Sequence, residues 1–304
     1  MENLFWKHEG GTESLVSTPF ETEEKFERLI FNTPEILEDI FLLKRQIRGG
    51  NKNGIPDIVG IDYDGNVCIV EMKNVNVDAS IIPQVLQYAF WAETNPDSIK
   101  TLWLETDDKP DDLSISWDDF KVRIIVIAPK ILPSSLHIVE KINYQVDLIE
   151  ISRWVKDSDH LLFVKKLEEE KRTKSKPVSG QEEYDEEYYK RENNKDSAKH
   201  FIRFTNEAEQ LINKKGWALE KKYNKHYCGF KAGFFNAFGI KWIGTKTFAF
   251  FFKLTEEEAT NINPEMTKYE TQWKEAIYYI DPKKTKTEDF TPLFEKAYKK
   301  LTGS

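Results

Sequence analysis

The chain has 304 residues, room for about two domains of common size, and 39% are hydrophobic with 8 Trp, 12 Tyr and 20 Phe, which excludes a disordered chain. Its formal charge of −8 is uneven: residues 1–167 hold 18 Lys and Arg against 29 Asp and Glu, whereas residues 197–304 hold 19 against 13. Two cysteines are too few for a disulfide framework, no apolar run approaches a membrane span, and MENLFWKHEGG lacks a signal-peptide layout, so a soluble cytoplasmic protein is expected.

In chain order, ETEEKFERLIFNTPEILEDIF spaces Phe26, Leu29, Ile30, Ile36, Leu37, Ile40 and Phe41 helically, and Asn32-Thr33-Pro34 divides it into two short predicted helices. IPDIVGIDYDGNVCIVEMKN reads as two strands joined at an Asp-Gly turn over 63–66. SIIPQVLQYAFWAET returns to a helical period. KVRIIVIAPKI is a continuous β-branched run, as in a strand buried on both faces. PSSLHIVEKI reads as a helix and QVDLIEISRWV as a further strand, so the first part is an α/β layer with a mixed sheet. Residues 167–196 are dense in charge and read as a helix tail, a flexible joint near 173–181 and an acidic helix start. Beyond them, a helix ending at Gly216, aromatic strands and a closing helix at FTPLFEKAYKKLTG predict a smaller α+β domain. The expected domains are therefore 1–167, a charged linker 168–196, and 197–304.

Charged residues in an apolar strand need a reason. Glu71 and Lys73 share one face of the second hairpin strand, Val70 and Met72 the other, and Asp57 opens the first strand across the turn. Glu-x-Lys also arises by chance on solvated faces of a chain that is 32% charged. Two carboxylates and an ammonium on one face nevertheless suit Mg²⁺ or Mn²⁺, with the lysine orienting or deprotonating a water. Just upstream, LKRQIRGGNKNG brings Lys44, Arg45, Arg48 and Lys52 around two glycines, a pattern suited to phosphate contact, with Arg48 the preferred residue.

Pro56-Asp57, Glu71-Met72-Lys73 and Gln84-x-x-x-Tyr88 together resemble the PD-(D/E)xK nuclease superfamily, and the Gln-x-x-x-Tyr helix is similar to its RecB-like branch. The order of elements over about residues 20–155 resembles the catalytic domain of NucS/EndoMS-type endonucleases, and no counterpart of that family's N-terminal DNA-binding domain is expected in these residues. The resemblance implies a restriction-endonuclease-like core, a mixed central sheet flanked by helices. It implies that Asp57 and Glu71 bind the metal with help from the Met72 carbonyl, and that Lys73 positions the water. Glu27 matches the family's upstream acid, with Glu24 one turn away as the competing assignment. Gln84 and Tyr88 would orient the lysine or touch the phosphate backbone. Gln87 and Trp91 are read as an exposed and a core residue.

In the second domain, KKYNKHYCGFKAGFFNAFGIKW interleaves lysines with aromatics, so Lys222 and Lys225 are candidate nucleic-acid contacts, although aromatic strands also simply build cores. His226 and Cys228 alone do not make a zinc site. The expected function is a Mg²⁺- or Mn²⁺-dependent DNA endonuclease in repair or in defence against foreign DNA. RNA stays open as a substrate, as does a homodimer. The alternative is a catalytically inactive nuclease-like module for nucleic-acid binding or assembly.

Overall fold

The computed structural model describes residues 4–46, 56–107, 109–110, 113–139, 141–167, 184–233, 235–244 and 246–303. The chain divides into two compact units, residues 1–106 with 115–178, and residues 107–114 with 179–304.

The first unit opens with a two-stranded hairpin, β1 (Leu4–His8) and β2 (Gly11–Leu15). Helix α1 (Glu23–Phe31) begins where the Thr22 side chain accepts from the Lys25 amide at 3.1 Å, and acidic Glu23 and Glu24 sit in its first turn, where the helix dipole favours them. A 3-10 turn over Pro34–Leu37 leads into β3 (Ile40–Arg45), which is followed by β4 (Ile58–Asp62) and β5 (Val67–Met72). The β4–β5 turn is built by Asp62, whose Oδ1 accepts from the amides of Asp64 (3.0 Å) and Asn66 (2.9 Å), with Gly65 supplying a φ of 79°. Helices α2 (Ile82–Thr94) and α3 (Pro96–Glu105) precede β6 (Val122–Ala128), and α4 (Pro133–Val139) precedes β7 (Gln145–Lys156) and β8 (Asp159–Leu167).

The sheet order is β3-β4-β5-β6-β7-β8. The β5–β6 and β6–β7 pairs are parallel and the others antiparallel, so the sheet is mixed as the sequence predicts. Every residue of β4, β5 and β6 is buried. Val70 and Met72 pack with Phe26, Ile30, Ile58 and Ile125, a core that seats α1 on one face of the sheet.

The second unit carries α5 (Glu186–Glu192), α6 (Lys195–Lys215), β9 (Glu220–Tyr223), β10 (Tyr227–Ala232), β11 (Phe235–Ile243) and β12 (Thr247–Phe252). It closes with α7 (Glu256–Ile262), β13 (Lys268–Glu270), β14 (Glu275–Tyr279) and α8 (Thr291–Thr302). Helix α6 ends at Gly216 in the left-handed conformation, as read from the sequence. The antiparallel sheet β13-β14-β12-β11-β10-β9 buries Phe238, Phe250 and Phe252 in one core with Phe201 and Phe204 of α6 and Phe294 of α8. Most of the aromatic richness of this region is therefore core.

Several expectations are corrected. Ile40 and Phe41 belong to β3, not to a second helix, because they pair with Asp62 and Ile61 of β4. Lys44 and Arg45 lie on that same strand rather than in a loop. The chain from Asp159 to Leu167 forms strand β8 along β7, and β1, β2, α3 and β13 have no counterpart in the sequence reading. The joint near 173–181 lies outside the described residues. No helix among the described residues is long and apolar enough to cross a membrane.

Candidate active site

Asp57 sits immediately before β4, and its Oδ2 accepts from the Met72 amide at 2.7 Å. The carboxylate is thereby held against the strand that carries Glu71 and Lys73. With Val70 and Met72 committed to the core, alternation turns Glu71 toward α2, where Gln84 Nε2 donates to Glu71 Oε1 at 2.8 Å. Gln84 Nε2 also lies 2.6 Å from the Tyr88 hydroxyl, one helical turn on. Lys73 Nζ donates to the same Glu71 Oε1. The Lys73 amide donates to Ile127 O at 2.9 Å, extending the β5–β6 ladder through the motif.

Glu71 is 2% exposed, and burial followed by repulsion from Asp57 pushes its pKa up to about 8. Burial also raises Asp57, against the pull of the Met72 amide and the Lys73 charge. Burial disfavours the Lys73 ammonium, yet Glu71, Glu23 and Asp57 together hold its pKa above the usual lysine value. Glu27, 3% exposed, is raised by burial and by Asp57, with Gln46 and Arg45 opposing. Glu71 Oε2 and Glu27 Oε1 are both buried without a hydrogen-bond partner. Neighbouring buried carboxylates with an unsatisfied oxygen are what a hard divalent cation would neutralise.

The donor chemistry of Asp57 and Glu71 fits such an ion. Among the described residues, however, no group of three or more His, Cys, Asp and Glu forms a metal cluster, so the donors brought together are this pair and not a triad with Glu27. The Met72 main chain meets Asp57 through its amide.

Of the two upstream acids, Glu27 faces the site, where it feels the Asp57 charge, whereas Glu24 pairs with Arg28 at 2.9 Å on the exposed side of α1. Lys44 is exposed on β3, and Arg48 and Lys52 lie outside the described residues. In the second unit, Lys222 is exposed on β9 and Lys225 is half-buried in the turn before β10. Gln87 is exposed and Trp91 half-buried, rather than fully in the core.

Two contributors, Glu23 and Gln46, escaped the sequence reading, and Arg45, read there as a phosphate contact, stands beside Glu27. Glu23 Oε1 lies 3.7 Å from Lys73 Nζ, and its Oε2 accepts from the Asn74 amide at 3.3 Å. Arg45 Nη1 lies 3.7 Å from Glu27 Oε1, and Gln46 Nε2 donates to Glu27 Oε2 at 2.8 Å. Glu23 stands four residues before Glu27 and so one turn earlier on the same helix side, a spacing that was open to inspection. Arg45 and Gln46 become legible only once β3 is known to run antiparallel to β4.

No known protein-family profile matches the chain. It is 29% identical over 123 residues to Endonuclease NucS of Pyrococcus horikoshii, covering 40% of this chain and 38% of that protein. It is 27% identical over 123 residues to Endonuclease NucS of Pyrococcus abyssi, covering 40% and 39%. A solved repair endonuclease from Pyrococcus abyssi aligns at 24% identity and a TM-score of 0.28, over 43% of this chain and 48% of that one. The chain thus spans about two-fifths of the length of the curated relatives it matches. Over that stretch it is similar to the NucS-type endonucleases.

Proposed function

We propose that the first unit is a divalent-metal-dependent DNA endonuclease that hydrolyses phosphodiester bonds. The observation that carries this is the pairing of buried Glu71 with half-buried Asp57, with the Lys73 ammonium and the Gln84 amide both held on Glu71 Oε1. Two acids set side by side and largely withdrawn from water weaken a fold unless they serve a bound cation or a proton transfer. The named activity of the curated relatives, endonuclease, supports the same assignment.

Asp57 and Glu71 would hold Mg²⁺ or Mn²⁺, which when bound supplies positive charge to the phosphate and acidifies a coordinated water. Gln84 keeps Glu71 oriented, and Tyr88 in turn backs Gln84. Lys73 carries a proton-donating ammonium at the rim of the pair, placed to orient a water or to stabilise charge that develops on the phosphate. Glu27 adds a further negative carboxylate nearby. The basic second unit, through Lys222 and Lys225 among others, would hold the DNA backbone. A role in DNA repair or in defence against foreign DNA would go with that activity.

The test is cleavage of plain duplex, mismatched, branched and single-stranded DNA in Mg²⁺ or Mn²⁺ by the wild type, Asp57→Asn and Lys73→Met. Cutting by the wild type alone supports the assignment. Equal inertness of all three proteins on every DNA form, and on RNA, overturns it and leaves the binding-module alternative.

A further inference from the structure

We infer that Gln46 is a positioning residue of the acidic site, one that fixes Glu27 with its side chain and Asp57 with its main chain; this rests on the nuclease function proposed above. Gln46 Nε2 donates to Glu27 Oε2 at 2.8 Å, and the Gln46 amide donates to Asp57 O at 2.7 Å. One residue thus joins the end of β3 to an acid on α1 and to an acid at the head of β4. The two acids are 30 positions apart in sequence, at 27 and 57.

The backbone of Gln46 makes the case specific. Its φ is +49°, in the left-handed region that residues with a Cβ rarely adopt. Among the described residues, the other non-glycine positions with positive φ are Asp157 and Lys274, and both lie in turns leading into a strand, where a left-handed residue is a requirement of the turn. Gln46, like Asp157, directly follows a strand, but its main chain pairs with that of Asp57 and its side chain reaches Glu27. Were only the backbone geometry needed, glycine would supply it without strain. Glutamine supplies in addition a neutral N–H donor long enough to reach a carboxylate that is 3% exposed and whose other oxygen has no hydrogen-bond partner. Arg45, the preceding residue, stands 3.7 Å from that second oxygen. The neutral donor fixes Glu27 in direction without adding a second full positive charge beside it. Strain kept at a position that serves two acids is the mark of a functional constraint rather than of folding alone.

Two substitutions separate this role from a structural one. Gln46→Met keeps the stem length and the strained backbone and removes the donor. Gln46→Gly removes the strain together with the side chain. Each should lower kcat about tenfold or more while KM stays within about twofold, since what is lost is orientation of the site rather than grip on DNA. The melting temperature should stay within about 2 °C for Gln46→Met and be unchanged or higher for Gln46→Gly. Wild-type kcat in Gln46→Met, or a melting temperature that falls along with activity in Gln46→Gly, overturns the inference. Should the wild type cut no DNA, the proposed function fails, and a crystal structure of Gln46→Met still decides the role of Gln46. A Glu27 carboxylate that has turned away while Asp57 stays on the Met72 amide sustains it, and an unmoved Glu27 overturns it.

Discussion

The Met72 amide donates to Asp57 Oδ2 at 2.7 Å, so the first acid of the motif is fastened to the main chain between the second acid and the lysine. That bond separates chemistry from folding. Asp57→Asn retains an oxygen that can accept from Met72 and should melt close to the wild type. Asp57→Ala leaves a buried amide without its acceptor and should lose about 1–3 kcal/mol. Both should lose roughly a thousandfold or more in cleavage rate, because neither offers a negative ligand. Thermal melts run beside nuclease assays check both halves.

The Glu71 carboxyl makes stability depend on pH in an unusual direction. Its folded pKa of about 8 lies above the ordinary value of 4.5, so the folded state binds this proton more tightly than the unfolded chain does. The stability it contributes is fully present below 4.5 and is lost as pH rises through about 8. The metal-free protein should therefore melt progressively lower across that window, and Glu71→Gln should flatten the trend. Mn²⁺ should raise the melting temperature more at pH 8 than at pH 5, where a proton occupies the Glu71 carboxyl instead. A series of melts with and without the ion reads all three effects.

Glu23 shares Lys73 with Glu71 and also accepts from the Asn74 amide. Glu23→Gln keeps an acceptor for Asn74 but gives up the charge facing the ammonium. It should reduce kcat by roughly threefold to tenfold with little change in melting temperature, because the lost pair is partly exposed. Glu24→Gln, whose carboxylate turns to Arg28, serves as the control and should retain full activity.

At the start of β6, three residues before the partner of Glu71, Arg123 is buried against Asp39 (2.6 Å), Asp62 (3.4 Å) and Asp147 (2.5 Å), and Lys166 adds a contact to Asp147 at 2.9 Å. Burial opposes ionisation of Asp147, yet Arg123 and Lys166 hold its pKa down to about 2. Arg123→Met removes the shared cation and leaves the carboxylates crowded together, a loss of about 3–5 kcal/mol. The urea midpoint should fall accordingly, while kcat measured well below the melt should be unchanged.

In the second unit, the double substitution Lys222→Ala with Lys225→Ala should weaken DNA binding and make its logarithmic salt dependence shallower by about one to two. An unaltered salt slope would remove these two lysines from the DNA interface.

The sequence carried the site's strand pair and its following helix well, because an Asp-Gly turn, a period-two alternation and a helical Gln-x-x-x-Tyr are all local signals. It carried β3 badly. Ile36, Leu37, Ile40 and Phe41 satisfy a helical spacing across a strand boundary, and a short apolar run does not distinguish the two periods. Strand β8 was obscured for a related reason, since it borders the sheet and its mixture of Leu, Phe and Lys continues into acidic residues that look helical. Gln46 and Glu23 were silent because their partners lie 19 and 51 residues away, at Glu27 and Asn74, and only the closed sheet brings them together.

The parallel ladder that sets Glu71 beside Val126 and Met72 beside Ile127 has a further consequence. Sliding β5 by one residue would drive Glu71 and Lys73 into the apolar core and push Val70 and Met72 out toward α2. Such a misaligned sheet would be unstable, since it would bury two charges among Phe26, Ile30 and Ile125. Hydrophobic sorting thus proofreads the alignment of Asp57, Glu71 and Lys73 during folding, and a population of these molecules should contain copies with the acids in register and unfolded ones, with no misregistered state between them.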